Sequence, residues 1–133
     1  MKYMLDTNII TAMEKAPLGL LNTKLMAVGI DNVVTSIMVV GEVQFGIAKR
    51  GSESLAISLG AVLSNIPALP LEPPVALEYG RIRADLVRRG LIIGQNDMWI
   101  VAHALALNLT LVTDNVSEFS RVDGLRVENW LRT

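Results

Sequence analysis

Cysteine is absent from this 133-residue chain, and His103 is its only histidine. The first absence excludes disulfides, thiolate metal sites and cysteine nucleophiles, and it fits a reducing compartment. The second excludes His-rich metal sites. Neither sign of charge dominates: 12 Lys and Arg face 13 Asp and Glu, a formal net charge of -1. Such a chain has no global attraction for a polyanion, so a nucleic-acid partner must be held by local basic groups or by bound metal, which argues against a general nucleic-acid coat. A long unbroken apolar run is also missing. Ser54 to Leu71 carries no charge, but Ser58, Gly60, Ser64, Asn65, Pro67 and Pro70 interrupt it, which argues against a membrane span. Met1 leads directly into Lys2-Tyr3-Met4-Leu5 without the basic, apolar and small-residue regions of a secretory signal, so a cytoplasmic protein is expected.

What is present is apolar: 51% of residues are hydrophobic, 5% are aromatic, and the mean hydropathy is +0.43. That composition predicts one folded domain over residues 1–133, with surface that a partner or a second copy covers. Strand-like runs alternate with helical ones. Lys2–Leu5 reads as a buried strand ending at Asp6-Thr7-Asn8, where a helix can begin, and Val33–Thr35 reads as a second strand. Ser36 caps a helix to about Lys49, Gly51-Ser52 breaks the chain, and a small-residue helix follows from about Glu53 to Asn65. Pro67–Leu71 fits a short strand, and Pro73-Pro74 starts a helix with Val75, Tyr79, Ile82 and Leu86 on one face, stopped at Gly90. Asn96 is expected to cap a helix from Asp97 to about Leu107, with strands at Leu109–Thr113 and Leu125–Glu128 after it. The alternation predicts an α/β fold with a mainly parallel central sheet.

Three carboxylates stand out against this background. Asp6 is the lone charge between Lys2 and Glu14, Glu42 the lone charge from Val33 to Ala48, and Asp97 the lone charge from Leu91 to Thr113. Folding should carry all three inward, where an ionised acid is costly unless a cation or hydrogen-bond donors compensate it. Oxygen-only ligands favour Mg²⁺ or Mn²⁺. Each acid also has a plain structural use: Asp6 as a helix cap, Asp97 at the positive end of its helix, Glu42 in a buried ion pair with an arginine. Asn115, after the Leu109–Thr113 strand, is the candidate fourth site residue or an Asx turn, Glu118 a further acid or a solvated one, and Asp114 a surface residue. Thr7, Asn8 and Ser36 can orient carboxylates or start helices. Hard cations held this way would support in-line hydrolysis of a phosphodiester without a protein nucleophile. Lys49, Arg50, Arg81, Arg83, Arg88 and Arg89 are candidates to hold an RNA backbone or are simply solvated, His103 reads as a half-buried helix residue, and Trp99 and Trp130 read as core or interface.

The motifs Met4-Leu5-Asp6-Thr7-Asn8, Ser36 with Glu42, Ile93-Gly94-Gln95-Asn96-Asp97 with Ile100 and Ala102, Leu111-Val112-Thr113-Asp114-Asn115 with Glu118-Phe119, and Gly124-Leu125-Arg126-Val127-Glu128-Asn129-Trp130 stand in order. Together they resemble the PIN-domain ribonucleases, and more closely the VapC-type toxins of toxin–antitoxin pairs. The resemblance covers essentially the whole chain. It implies an α/β/α sandwich, Mg²⁺ or Mn²⁺ at a carboxylate cluster of Asp6, Glu42 and Asp97, and metal-dependent endoribonuclease activity. It also implies a VapB-type antitoxin covering the site, and a homodimer. Asn115 falls where many members carry a fourth acid, so the amide departs from the pattern and bears on a second metal. Several similar toxins cleave tRNA, initiator tRNA included, which makes tRNA the expected substrate. Two other readings compete: a Mg²⁺-dependent phosphatase-like or receiver-like protein, which would want an acid where Asn8 stands or a lysine near Thr113-Asp114, and a non-catalytic module holding a structural cation.

Overall fold

The computed structural model describes residues 1–16 and 19–132. A three-residue strand, β1 (Tyr3–Leu5), runs through the middle of a five-stranded parallel sheet of order β3-β2-β1-β4-β5. Its neighbours are β2 (Val33–Ser36) and β4 (Thr110–Val112), with Leu5 opposite Thr35 on one side and Val112 on the other. β3 (Ala68–Leu69) and β5 (Val127–Glu128) form the edges. Buried on both faces, the three central strands are written almost entirely in apolar and β-branched residues, as a covered parallel sheet requires. The five strands fall where the sequence places them, β2 one residue longer than expected and the other four trimmed by one to three residues, and the sheet is parallel throughout.

Among the described residues seven α-helices cover the sheet: α1 (Thr7–Lys15), α2 (Leu20–Val28), α3 (Ile37–Arg50), α4 (Glu53–Ser64), α5 (Pro73–Arg89), α6 (Gln95–Ala106) and the single turn α7 (Val116–Phe119). Side-chain caps fix the starts of α1, α3 and α4, where Asp6, Ser36 and Ser52 accept from backbone N–H groups. α3 and α5 stop at Gly51 and Gly90, whose φ values of 65° and 69° place them in the left-handed region open to glycine. α5 buries Val75, Ile82 and Leu86, the stripe its spacing predicted, against α6. α6 itself is nearly enclosed, with Met98, Ile100, Val101, Ala102, His103 and Ala104 buried. Each fully buried aliphatic side chain in this core contributes about 1.5–3 kcal/mol.

Two expectations need correction. α6 begins at Gln95 with Gly94 at the cap position, so Asn96 lies inside the first turn and caps nothing, and Asp97 is the third helical residue. A glycine cap leaves no side-chain signal, and the nearest polar residue drew the boundary two positions late. α2 was not anticipated, because its Leu21 and Leu25 are buried without a clear amphipathic pattern around them.

Candidate active site

The chain leaves β1 towards β2 on one side of the sheet and returns to β4 on the other, which creates a switch point beyond the carboxyl ends of β1 and β4. Asp6 follows β1 directly at this point. Its Oδ1 accepts from the Thr7 backbone N–H at 2.8 Å and its Oδ2 from the Thr113 hydroxyl at 2.8 Å. The Thr113 Oγ1 also accepts from the Asn115 N–H at 3.1 Å, so the loop after β4 is tied to the acid at the end of β1. Burial raises the Asp6 carboxyl above its ordinary range, helped by Glu42 and Asp114, while the Thr113 and Thr7 donors oppose the rise.

Glu42 lies in the second turn of α3, and its Oε1 accepts from the Thr7 hydroxyl at 2.7 Å. Asp97, in the first turn of α6, accepts no side-chain hydrogen bond among the described residues. Burial, then the charges of Asp6, Glu118 and Glu42, push its pKa up to about 6. Asp6, Thr7, Asn8, Glu42, Asp97, Asn115 and Phe119 line one cleft of about 120 Å³. All three acids singled out in the sequence therefore meet, as does Asn115. The Asn115 amide donates to Glu118 Oε2 at 2.8 Å, and the Asn8 amide donates to Asp114 Oδ1 at 2.9 Å, so two secondary candidates are held at the rim by site residues. Ser36 takes no part in the cleft. It is a buried cap, bonded to His103 at 2.8 Å.

Among the described residues no Lys, Arg or His lines the cleft. The arginine partner considered for Glu42 is therefore absent among the described residues, and a threonine hydroxyl occupies that role. An oxygen-only donor set with an uncompensated, half-buried Asp97 fits a hard cation in chemical type. In this arrangement, however, no three acidic or histidine side chains among the described residues form a closed coordination set. Oxygens of Asp6 and Glu42 face hydroxyl groups instead, and would have to turn from Thr113 and Thr7 to share an ion.

The basic residues divide into two groups. Arg81 pairs with Glu78, and Arg88 and Arg89 both pair with Asp85, all on α5. Arg83 donates to the Tyr79 hydroxyl at 3.0 Å. Lys49 and Arg50, at the end of α3, make no ion pair among the described residues; Lys49 stands 5.9 Å over the Phe45 ring. Trp130 is core, edge-on to Tyr3, and Trp99 stacks on Tyr79 with ring centres 3.9 Å apart. His103 is fully buried, where half-burial was expected.

A parallel five-stranded α/β domain with acids from three separate elements gathered at its switch point defines a class of fold and site that known proteins share. The family model described as PIN domain matches residues 3–125. Curated relatives include ribonuclease VapC2 of Rickettsia felis, 38% identical over 98% of both chains, and the tRNA(fMet)-specific endonuclease VapC of Shigella flexneri, 35% identical over 98% of both. The crystal structure of VapBC2 from Rickettsia felis bound to a promoter DNA fragment superposes with a TM-score of 0.89, at 35% identity, covering 98% of this chain and 99% of that one. The chain belongs to the PIN-domain family and, within it, to the VapC ribonucleases. No helix among the described residues is long and apolar enough to cross a membrane.

Proposed function

We propose that this protein is a metal-dependent endoribonuclease, the toxin of a toxin–antitoxin pair, and that Asp6, Glu42 and Asp97 hold Mg²⁺ or Mn²⁺ in its active site. The observation that carries the reading is the meeting of these three acids, from the end of β1, α3 and α6, in one cleft with no positive side chain among the described residues that line it. When bound, the cation would neutralise a phosphodiester and acidify water for in-line hydrolysis. The chain's own residues prepare that chemistry. Thr113 and the Thr7 N–H hold Asp6 from both oxygens, and the Thr7 hydroxyl fixes Glu42 against the start of α1. Asn115 lines the cleft and aligns Glu118, whose charge reaches Asp97, so an amide contributes here where a fourth acid would add charge. Without metal the cleft repels phosphate, which makes the activity chelation-sensitive.

Transfer RNA, initiator tRNA included, is the substrate proposed, by analogy with the Shigella flexneri relative whose name specifies tRNA(fMet). A VapB-type antitoxin is the proposed inhibitor, since similar chains were crystallised as VapBC assemblies. A homodimer is proposed from exposed apolar side chains that a second copy would cover, among them Ile37, Phe45, Leu77 and Val87. The test is incubation of total cellular RNA with purified, partner-free protein in Mg²⁺ or Mn²⁺ against EDTA, with Asp97→Asn protein as the contamination control. Discrete fragments that need both metal and Asp97 support the reading, and their mapped ends name the target. Folded wild-type protein that leaves all RNA intact at high concentration overturns it.

A further inference from the structure

His103 is the chain's one histidine, and it is buried in α6 at 1% exposure, outside the acidic cleft. Its Nδ1 lies 2.8 Å from Ser36 Oγ. That oxygen already accepts from the Met38 N–H at 3.1 Å, as the cap of α3, so its own proton needs an acceptor. Nδ1 is the atom placed to accept it. The ring must then carry its proton on Nε2, and the Pro70 backbone carbonyl, just past β3, is the hydrogen-bond partner available to the ring. Burial favours this neutral form by pushing the imidazole below its ordinary range, against the opposing effect of Pro70.

The bond joins the two helices that carry Glu42 and Asp97. Contacts between them run in opposite order: the cap of α3 meets the last turn of α6 through Ser36 and His103, while the second turn of α3 and the first turn of α6 meet at the cleft through Glu42 and Asp97. Each pair of positions is separated by six residues, about 9 Å of helix. A slide of α3 along α6 would break the first contact and change the second together.

We propose that His103 is a positioning residue of the acidic site, accepting the Ser36 hydroxyl through an unprotonated Nδ1 and thereby fixing the register of α3 against α6, and with it the placement of Glu42 relative to Asp97. This rests on the nuclease reading, because placement matters only if the acids work together. His103→Leu keeps bulk and removes the acceptor; His103→Asn returns an oxygen near the Nδ1 position. In folded protein, His103→Leu should weaken Mn²⁺ binding and lower kcat, each by about tenfold with KM little changed, and His103→Asn should recover most of both. Ser36→Ala, which removes the same bond from the other side, provides the second variant should His103→Leu not fold, and should show the same losses. Nitrogen-15 spectra of the unaltered protein should show His103 protonated at Nε2 alone. A proton on Nδ1, or wild-type Mn²⁺ affinity and kcat in folded His103→Leu or Ser36→Ala, overturns the proposal and leaves the nuclease reading standing. A wild-type protein that neither binds Mn²⁺ nor cuts RNA overturns both.

Discussion

Two regions of this molecule handle carboxylates in opposite ways. On α5, Glu78 and Asp85 are partly exposed and meet Arg81, Arg88 and Arg89 one helical turn away. At the switch point, Asp6, Glu42 and Asp97 are drawn together from distant parts of the chain and receive only a backbone N–H and threonine hydroxyls. The α5 pairs are local, solvated and individually worth little. The cleft buries its acids and concentrates like charge, and the cost, of burial first and of repulsion second, is visible in the raised Asp6 and Asp97 carboxyls. Acids kept together without a cationic side chain point to a ligand that supplies the positive charge, which is why the cleft, and not the more heavily charged α5, is the candidate site.

The largest expected effect breaks this comparison at its centre. Asp6→Asn keeps the shape of the side chain and can still accept from Thr7 or Thr113, so the fold and its cooperative melt should survive. RNA cleavage should fall by on the order of a thousandfold, because a ligand charge worth several kcal/mol at the transition state is gone. Glu42→Gln should act in the same direction. Full activity of Asp6→Asn protein in Mg²⁺ would show that the cleft is only a surface feature of the fold.

A smaller effect concerns the cost of gathering the acids. Burial, and then the neighbouring acids, push the Asp97 carboxyl up to about 6 from an ordinary 3.8, so the folded chain holds this proton more tightly than the unfolded one. The sign follows from linkage: below pH 3.8 both states are protonated and there is no penalty; stability is lost as pH rises from there through 6, and the full penalty stands above that. A shift of this size corresponds to about 3 kcal/mol for an isolated group, and partial exposure reduces it to on the order of 1 kcal/mol. Metal-free Asp97→Asn protein should therefore be more stable than wild type by about 1 kcal/mol in urea unfolding at pH 7.5, with the gap closing towards pH 4. Saturating Mn²⁺ should reverse the order, since only the wild type keeps all three ligands. A variant less stable than wild type in EDTA at pH 7.5 would mean that the acids are not in conflict.

The sequence made the acids legible because each stood alone in apolar surroundings, and strand alternation with helix stops at Gly51 and Gly90 made the architecture legible as well. What it hid depends on pairing across the chain. Thr113 looks like any strand-end threonine until β4 lies beside β1 and brings its hydroxyl within 2.8 Å of Asp6, 107 residues away. Thr7 reads as a residue that starts a helix or orients a carboxylate, and it does both; only the fold shows that its side chain serves Glu42 and its backbone Asp6. Glu118 reads as a further acid or a solvated one, and only the fold shows that its charge raises Asp97 more than that of Glu42 does. Gly94 gives no capping signal at all, which displaced the start of the helix that carries Asp97.

The smallest expected effect sharpens the other side of the comparison. Asp85 receives both Arg88 and Arg89, the densest ion pairing among the described residues, and a count of contacts would rank it above any acid in the cleft. Its pairs are one turn apart on an exposed helix face, where attraction is screened and the long arginine side chains lose freedom to hold their places. Arg89 also donates to the Arg121 carbonyl, so its position does not depend on Asp85 alone. Asp85→Asn should change unfolding free energy by less than about 0.5 kcal/mol and leave both Mn²⁺ affinity and RNA cleavage at wild-type values. A loss of cleavage in this variant, with stability intact, would move the functional boundary from the cleft to α5 and turn its arginines from paired surface residues into part of the substrate track.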